Sequence, residues 1–246
     1  MFDLNNKNIL IFGGTGELMG KIAVSLQESN ANVIIVGRTL KENMSIYDKI
    51  KFYKFDINKD NVGELFNRIY QDYDKIDMLI NGAGVNSATT FLEITEEEMK
   101  NIFEINYIFV VKCCQQYIKR CLEENSKGKI LNIGSVSGLN PLSKVFTYSA
   151  SKSALHNLSK NLAREYGDKN ICTNILIPGF FPAEQNKAIL SVERTQQLHQ
   201  PIRCRCEPGS CVQRGSHSLQ PWRNTHAGTF NRALPSWHDA RYAATP

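Results

Sequence analysis

The stretch KILNIGSVSGLNPLSKVFTYSASK, residues 129–152, is the part of the sequence that decides the fold. Its first residues are apolar and bounded by glycines, which predicts a buried strand. The strand should end at Ser135, because the glycine and proline that follow disfavour a continuous helix there. A helix is predicted from about Thr147, and in it Tyr148 and Lys152 share one face because they are four residues apart. The pattern brings together a hydroxyl, a phenol and an ammonium, which could polarise a carbonyl group and give it a proton.

Length and composition fit one globular α/β domain. The chain has 246 residues, of which 42% are hydrophobic and 22% are charged, with a formal net charge of +5. No apolar run approaches the roughly 18 residues that a membrane span needs, and the N-terminus does not resemble a signal peptide. The seven cysteines lack the spacing of a secreted disulfide framework, which favours reduced thiols. We therefore expect a cytoplasmic protein with no membrane partner.

The two ends of the chain differ in composition. Residues 1–187 contain 18 Lys and 4 Arg, whereas residues 188–246 contain 7 Arg and no Lys. A frameshift, a chimeric junction or foreign sequence would explain so abrupt a change, with the break near His199, and a divergent flexible tail is the alternative. We expect one domain over residues 1–198 and an irregular or disordered tail over residues 199–246.

A strand–turn–helix–strand pattern opens the chain. Residues 8–12 and 32–36 are short apolar runs, and between them GGTGELMG at 13–20 leads into a helical pattern. This is the order of a βαβ unit that can bind a dinucleotide. The glycines let the backbone approach a pyrophosphate, and the helix N-terminus offers it unpaired N–H groups.

Strands and helices alternate over the remainder of the domain. Further strands are predicted at residues 50–56 and 130–133, at 77–84 running into a glycine turn, and at 172–181 together with a Pro–Gly turn. Helices are predicted at residues 58–73, at 95–124 with a Thr95/Glu98 capping box, and at 147–166 with a stop at Gly167. This alternation predicts a parallel sheet with helices on both faces.

A tyrosine and a lysine four residues apart are not informative by themselves. Tyr47 and Lys51 have the same spacing, but no serine at the end of a strand precedes them. Taken singly, Ser135 is typical of a turn and Asn106 of a buried core amide. Only the combination with the βαβ start makes an active site the better interpretation.

Residues 7 to about 198 resemble the short-chain dehydrogenase/reductase family. The matching elements are GGTG at 13–16, Asp56, NGAG at 81–84, Asn106, Ser135, Tyr148, Lys152 and the Pro178–Gly179 pair. The phrases NGAGVNSATT and PGFFPAEQN also resemble the sugar-acid dehydrogenases of the fructuronate/mannonate or gluconate type. The resemblance implies a Rossmann-like doubly wound parallel sheet. It also implies an NAD(P)-dependent oxidoreductase that interconverts a secondary alcohol and a ketone, with a sugar acid or polyol as the substrate.

The resemblance implies a role for each site residue. Tyr148 would be the general acid of carbonyl reduction and the base of alcohol oxidation, which requires Lys152 and the nicotinamide charge to lower its pKa from about 10 to near neutrality. Lys152 would also bind the nicotinamide ribose, Ser135 would hold the substrate oxygen, and Asn106 would keep a water in the proton relay. The cofactor-binding residues would be Gly13, Gly14, Thr15, Gly16, Leu18, Arg38, Asp56, Ile57, Asn81, Gly82, Ala83, Tyr148, Lys152, Pro178 and Gly179.

The end of the second predicted strand indicates the cofactor. An acidic residue there would bind the adenosine 2′-OH and repel a 2′-phosphate. This chain has Gly37 followed by Arg38, whose guanidinium suits a phosphate. We therefore expect NADP, with NAD as the alternative because an arginine could also stack on adenine.

Several positions depart from the family's pattern. Glu17 and Met19 stand where glycines are common, Phe12 replaces a threonine, and Asn81–Gly82 stands where two asparagines are usual. After His199, nothing resembles the family's substrate-covering helix, its next helix or its seventh strand. The sheet is therefore expected to lack its usual last strand, and the homo-oligomer usual for the family is in doubt.

Other functions stay open at this point. A 3-oxoacyl-[acyl-carrier-protein] reductase fits GSVSG and YSASKSA equally well, and a catalytically impaired nucleotide-binding scaffold is the alternative outside enzymes. Cys204, Cys206 and Cys211 have no second paired element, so no metal site is expected. The arginine-rich tail lacks a recognisable nucleic-acid module. We expect a small-molecule substrate and no specific nucleic acid.

Overall fold

The computed structural model describes residues 4–40, 50–140 and 142–178, and these form a six-stranded sheet with flanking helices. The strands are β1 Asn8–Phe12, β2 Asn32–Gly37, β3 Ile50–Lys54, β4 Met78–Asn81, β5 Gly128–Ile133 and β6 Ile171–Leu176. The helices are α1 Glu17–Glu28, α2 Val62–Asp72, α3 Glu96–Phe103, α4 Phe109–Glu123 and α5 Phe146–Tyr166. A π-helical turn, Glu104–Ile108, joins α3 to α4.

The strand order is β3-β2-β1-β4-β5-β6, and every neighbouring pair is parallel. The order reverses between β1 and β4, so the crossovers on the two sides of this point run in opposite directions. Phe12 at the end of β1 is in register with both Val36 of β2 and Asn81 of β4. The loops after these strands therefore diverge at one edge, which is where ligands bind in doubly wound sheets.

Alternate residues of β1 enter two different cores. Leu10 and Phe12 pack with residues of α2, α4 and α5, whereas Ile9 and Ile11 pack with residues of α1. Both faces of β1 are therefore covered, which explains why its sequence is continuously apolar instead of alternating. The predicted Rossmann-like α/β fold is confirmed.

The start of one predicted helix needs correction. The helix predicted from residue 58 begins at Val62, because the Asn61 side chain caps it by accepting hydrogen bonds from the N–H groups of residues 63 and 64, at 2.8 and 3.2 Å. The last helix ends at Tyr166, directly before Gly167, as predicted, and Gly167 itself has a right-handed conformation with a φ of −63°. A 3₁₀ turn follows α5, and Asn170, at φ 60°, adopts the left-handed conformation instead.

The capping box is only half formed. Thr95 Oγ1 accepts a hydrogen bond from the Glu98 N–H at 3.1 Å, as predicted. The Glu98 carboxylate, however, accepts hydrogen bonds from Ser87 and Thr89, both at 2.7 Å, so it fixes the loop after β4.

Several sequence predictions fall on residues that the structure does not describe. Tyr47, Gly179, the three cysteines 204, 206 and 211, and the whole proposed tail over residues 199–246 lie outside the described residues. Within the described part of the chain the sheet ends at β6. None of the helices that the structure describes is both long and apolar enough to span a bilayer.

Candidate active site

A cleft of about 410 Å³ opens at the edge of the sheet where the strand order reverses. Thirteen of the residues predicted for the site line this cleft. They are Gly13, Thr15, Gly16, Leu18, Arg38, Asp56, Ile57, Gly82, Ala83, Ser135, Tyr148, Lys152 and Pro178. The predicted residues therefore converge on one cavity from seven segments of the chain.

The glycine turn after β1 brings two backbones into contact. Gly13 has a φ of 75°, and a Cβ on it would lie 2.7 Å from both the Cα and the N of Ala83. Gly16 precedes α1 as its N-cap residue and makes no side-chain capping bond, so the first N–H groups of α1 are not satisfied by a cap. Exposed backbone at a helix N-terminus suits a pyrophosphate, so the residues present fit a dinucleotide.

Two predicted cofactor residues, Gly14 and Asn81, lie outside the cleft lining. A Cβ on Gly14 would come within 2.6 Å of Cγ2 of Ile35, so this glycine allows the turn to pack on β2. Asn81 is 2% exposed and donates a hydrogen bond to Oδ1 of Asn132 at 2.8 Å. Asn132 in turn donates to Ser159 Oγ at 2.9 Å. The side chain of Asn81 therefore ties β4 to β5 and α5.

Two of the departures from the family's pattern contact each other. Met19 stands where a glycine is common, and Gly82 stands where an asparagine is usual. A Cβ on Gly82 would lie 2.5 Å from Cγ and 2.6 Å from Sδ of Met19. The Met19 side chain, 3% exposed, fills the space that a side chain at position 82 would need. The two departures therefore compensate for each other.

Ser135 and Tyr148 lie together at the wall of the cleft. Ser135 follows β5, and its Oγ lies 3.0 Å from the Oγ of Ser137. Burial raises the pKa of the Tyr148 phenol above its ordinary value, and the hydrogen bond from Ser135 opposes this increase. The expected lowering of this pKa is thus not found in the protein alone.

The position of Lys152 explains why the pKa of the Tyr148 phenol is not lowered. Its Nζ donates a hydrogen bond to the Ile133 carbonyl at 2.8 Å and lies 5.8 Å from the centre of the Tyr148 ring. Lys152 is 5% exposed, and burial lowers the pKa of its ammonium to about 8. Desolvation therefore dominates at both groups, because the charged form of each loses its contact with water.

Asn106 lies in the π-helical turn and is fully buried. Its Oδ1 accepts from the Val85 N–H at 2.8 Å, and its Nδ2 donates to the Val85 carbonyl at 2.9 Å and to Ser151 Oγ at 3.0 Å. Ser151 Oγ donates to the Tyr148 carbonyl at 2.7 Å. The Asn106 side chain thus fixes the loop after β4 against the helix of Tyr148. Its role in holding a relay water stays a prediction.

The sequence analysis missed several residues that line the cleft. Among them are Val85, Asn86, Val136, Ser137, Leu142 and Val145. The signal for the first four was their place shortly after the carboxyl ends of β4 and β5, where the loops of parallel strands meet at one edge of the sheet. It also missed His156, which is buried on α5 and contacts the backbone of Ser135.

Two proteins of known sequence are similar to this chain. The chain is 31% identical over 182 residues to the uncharacterized oxidoreductase YvrD of Bacillus subtilis (strain 168), an alignment that covers 72% of this chain and 69% of the relative. It is 29% identical over 197 residues to the 3-oxoacyl-[acyl-carrier-protein] reductase FabG of Chlamydia trachomatis serovar D, covering 76% and 78% of the two chains.

A solved structure and a family of short chain dehydrogenases also match this chain. The structure described as ElxO with NADP bound has a TM-score of 0.67 and 27% sequence identity, and the match covers 73% of this chain and 75% of that one. Residues 7–193 match the family described as short chain dehydrogenase. The chain therefore belongs to the short-chain dehydrogenase family of oxidoreductases.

Proposed function

We propose that the protein interconverts a secondary alcohol and a ketone with NADP as its cofactor, and that Tyr148 is the general acid and base. The observation that carries this proposal is the convergence of Ser135, Tyr148 and Lys152 on the wall of one cleft. Ser135 is close enough to the Tyr148 phenol to lower its pKa, and Lys152 lies one helical turn from Tyr148. Family membership and the glycine turn support a dinucleotide beside this pair.

Each side chain has one task in the proposed reaction. Ser135 Oγ holds the substrate oxygen, and the Tyr148 phenol donates its proton to that oxygen in reduction or removes the proton in oxidation. With a pKa of about 8, Lys152 is mostly protonated at neutral pH, and its charge stabilises the phenolate. The nicotinamide, when bound, supplies or accepts the hydride.

Arg38 supports NADP as the cofactor. It follows β2 and lines the cleft, where its guanidinium can bind a 2′-phosphate. Asp56 and Ile57 line the same end of the cleft after β3 and suit the adenine. ElxO, at 27% identity, was solved with NADP. NAD stays the alternative cofactor.

We expect Arg38→Asp to reverse the cofactor preference. The loss of a charge-assisted hydrogen bond and the added repulsion should raise KM for NADP by roughly 10- to 100-fold, while KM for NAD should fall. Steady-state kinetics with both cofactors measures the change. Arg164→Asp, an exposed site near the far end of α5, makes the same charge change and should leave the preference unaltered. An unchanged preference in Arg38→Asp would remove Arg38 from the cofactor site.

The substrate class is the finer part of the proposal. A sugar acid or polyol is supported by the NGAGVNSATT phrase and by two polar residues, Asn86 and Ser137, that line the same cleft as Tyr148. A sugar acid also needs a cation for its carboxylate. In the described lining the cations are Arg38, at the adenine end, and Lys152, which is buried. A neutral polyol fits these walls better than an acid does.

An acyl substrate is a second candidate with its own observation. Phe91 and Phe146, 66% and 44% exposed, form an edge-to-face pair with ring centres 5.2 Å apart. Phe146 directly follows Val145, which lines the cleft, so the pair offers apolar surface close to the entrance. The similarity to FabG supports the same class, since a 3-oxoacyl chain needs an apolar wall.

Turnover on a matched substrate panel tests the proposal. The full chain would be assayed for NADPH oxidation with keto sugar acids, neutral keto sugars and acetoacetyl thioesters. We expect turnover with at least one neutral keto sugar, whose reduction gives the corresponding polyol. Turnover with thioesters alone would favour the acyl candidate. Tight binding of NADPH without turnover on any ketone would contradict the proposal and favour the scaffold alternative.

A further inference from the structure

His156 is a buried titratable group that the proposed reaction does not use. It lies on α5, one turn beyond Lys152, and is 5% exposed. Its Nε2 accepts a hydrogen bond from the backbone N–H of Ser135 at 3.2 Å. One helix therefore carries Tyr148, Lys152 and a ring that contacts the main chain of the serine.

The loop around Ser135, residues 134–138, is shaped to receive this ring. A Cβ on Gly134 would lie 2.4 Å from His156 Nε2, and a Cβ on Gly138 would lie 3.0 Å from His156 Cε1. The imidazole thus lies against the backbone on both sides of the serine. Ser153, also on α5, donates from its Oγ to the Gly138 carbonyl at 2.7 Å. Helix α5 therefore hydrogen-bonds to the loop 134–138 near both of the loop's ends.

The hydrogen bond requires a neutral imidazole with its proton on Nδ1. Nε2 can accept from Ser135 only while it carries no proton. Burial lowers the pKa of His156, and the charges of Lys152 and Lys160 on the same helix lower it further. On the side of β5 and residues 134–138, the His156 ring faces main-chain atoms. Nδ1 has no hydrogen-bond partner among the residues that the structure describes.

We propose that neutral His156 is a positioning residue that holds Ser135 where its hydroxyl can meet both Tyr148 and the substrate oxygen. This inference rests on the role proposed above for Ser135. A second proton on the imidazole would occupy Nε2 and abolish the hydrogen bond. The loop 134–138 then loses one of its two attachments to α5, and the serine loses its fixed distance from the phenol.

Two substitutions separate this role from simple packing. His156→Leu fills the space without an acceptor, and it should lower kcat by roughly 10- to 100-fold because small displacements at a reacting centre have effects of that size. His156→Gln places an oxygen near the position of Nε2, and it should keep most of the turnover. As the pH is lowered beneath the ordinary imidazole pKa of about 6.5, the ratio of wild-type kcat to His156→Gln kcat should decrease, because only the wild type loses its acceptor. Asn157→Leu, the exposed neighbour, is the control.

Nitrogen-15 spectra of histidine-labelled protein give a readout that does not depend on turnover. The resonance that His156→Gln removes should have the shifts of an Nδ1-protonated ring at pH 7. A charged ring, an Nε2-protonated ring, or equal kcat in His156→Leu and the wild type would each overturn the inference. If no ketone is turned over, the proposed function fails, and the tautomer still decides whether His156 accepts from Ser135.

Discussion

Tyr148→Phe is expected to lower kcat by about 100- to 10,000-fold, the contribution usual for a positioned general acid or base. The phenol lies beside Ser135 at the cleft wall, and phenylalanine keeps the ring while removing the proton donor. The affinity for NADPH should change little, because the substitution removes one hydroxyl and leaves the glycine turn, Arg38 and Lys152 in place. Stopped-flow hydride transfer and cofactor titration measure the two quantities.

A second tyrosine on the same helix provides the control for Tyr148→Phe. Tyr166 is the last residue of α5, and its ring lies 5.1 Å from the Lys169 ammonium. Tyr166→Phe should keep wild-type kcat, because this tyrosine lies about five helical turns from Tyr148 along α5. Equal turnover in Tyr148→Phe and the wild type, with both proteins folded, would remove the phenol from the mechanism.

Gly13→Ala is expected to destabilise the fold by about 2 to 5 kcal/mol and to abolish tight NADPH binding. A left-handed backbone costs a non-glycine residue roughly 1 to 2 kcal/mol, and overpacking adds about 1 to 3 kcal/mol. The new methyl would lie 2.7 Å from backbone atoms of Ala83, so relief requires the loop after β1 or after β4 to move. Urea unfolding measures the loss of stability, and cofactor titration measures the loss of affinity.

Gly167→Ala is the matched control, since the chemical change is identical. Gly167 has a φ of −63°, and nothing lies within 4 Å of a Cβ placed there. This substitution should leave stability unchanged or raise it by about 0.4 to 1 kcal/mol through the unfolded state. If the two alanine variants unfold at the same urea concentration, the close approach of the two turns does not have the predicted importance.

The strands could be predicted because a parallel sheet covered on both faces leaves continuous apolar runs in the sequence. The meeting of Ser135, Tyr148 and Lys152 could be predicted because a strand end and a helix face at fixed spacing bring them together. The position of the Asn81 side chain could also have been predicted from the sequence. Alternation along β4 places Asn81 on the face of Leu79, which packs in the core and not in the cleft.

Other features depend on contacts between distant residues, so the sequence could not indicate them. Glu98 accepts hydrogen bonds from Ser87 and Thr89 instead of closing its capping box, and this depends on the path of the loop after β4. His156 reaches the backbone of Ser135 across 21 positions because α5 packs on the loop 134–138. The raised pKa of Tyr148 reflects burial, which no spacing of residue types records.

The contact between Met19 and the vacant side-chain position of Gly82 has an evolutionary consequence. Met19 can occupy its place only while residue 82 has no side chain, whereas a glycine at 82 makes no such demand on residue 19. The order of substitution therefore matters: a methionine at 19 that preceded the glycine at 82 would give a crowded intermediate. Anyone grafting the ordinary turn onto this enzyme should exchange both residues together.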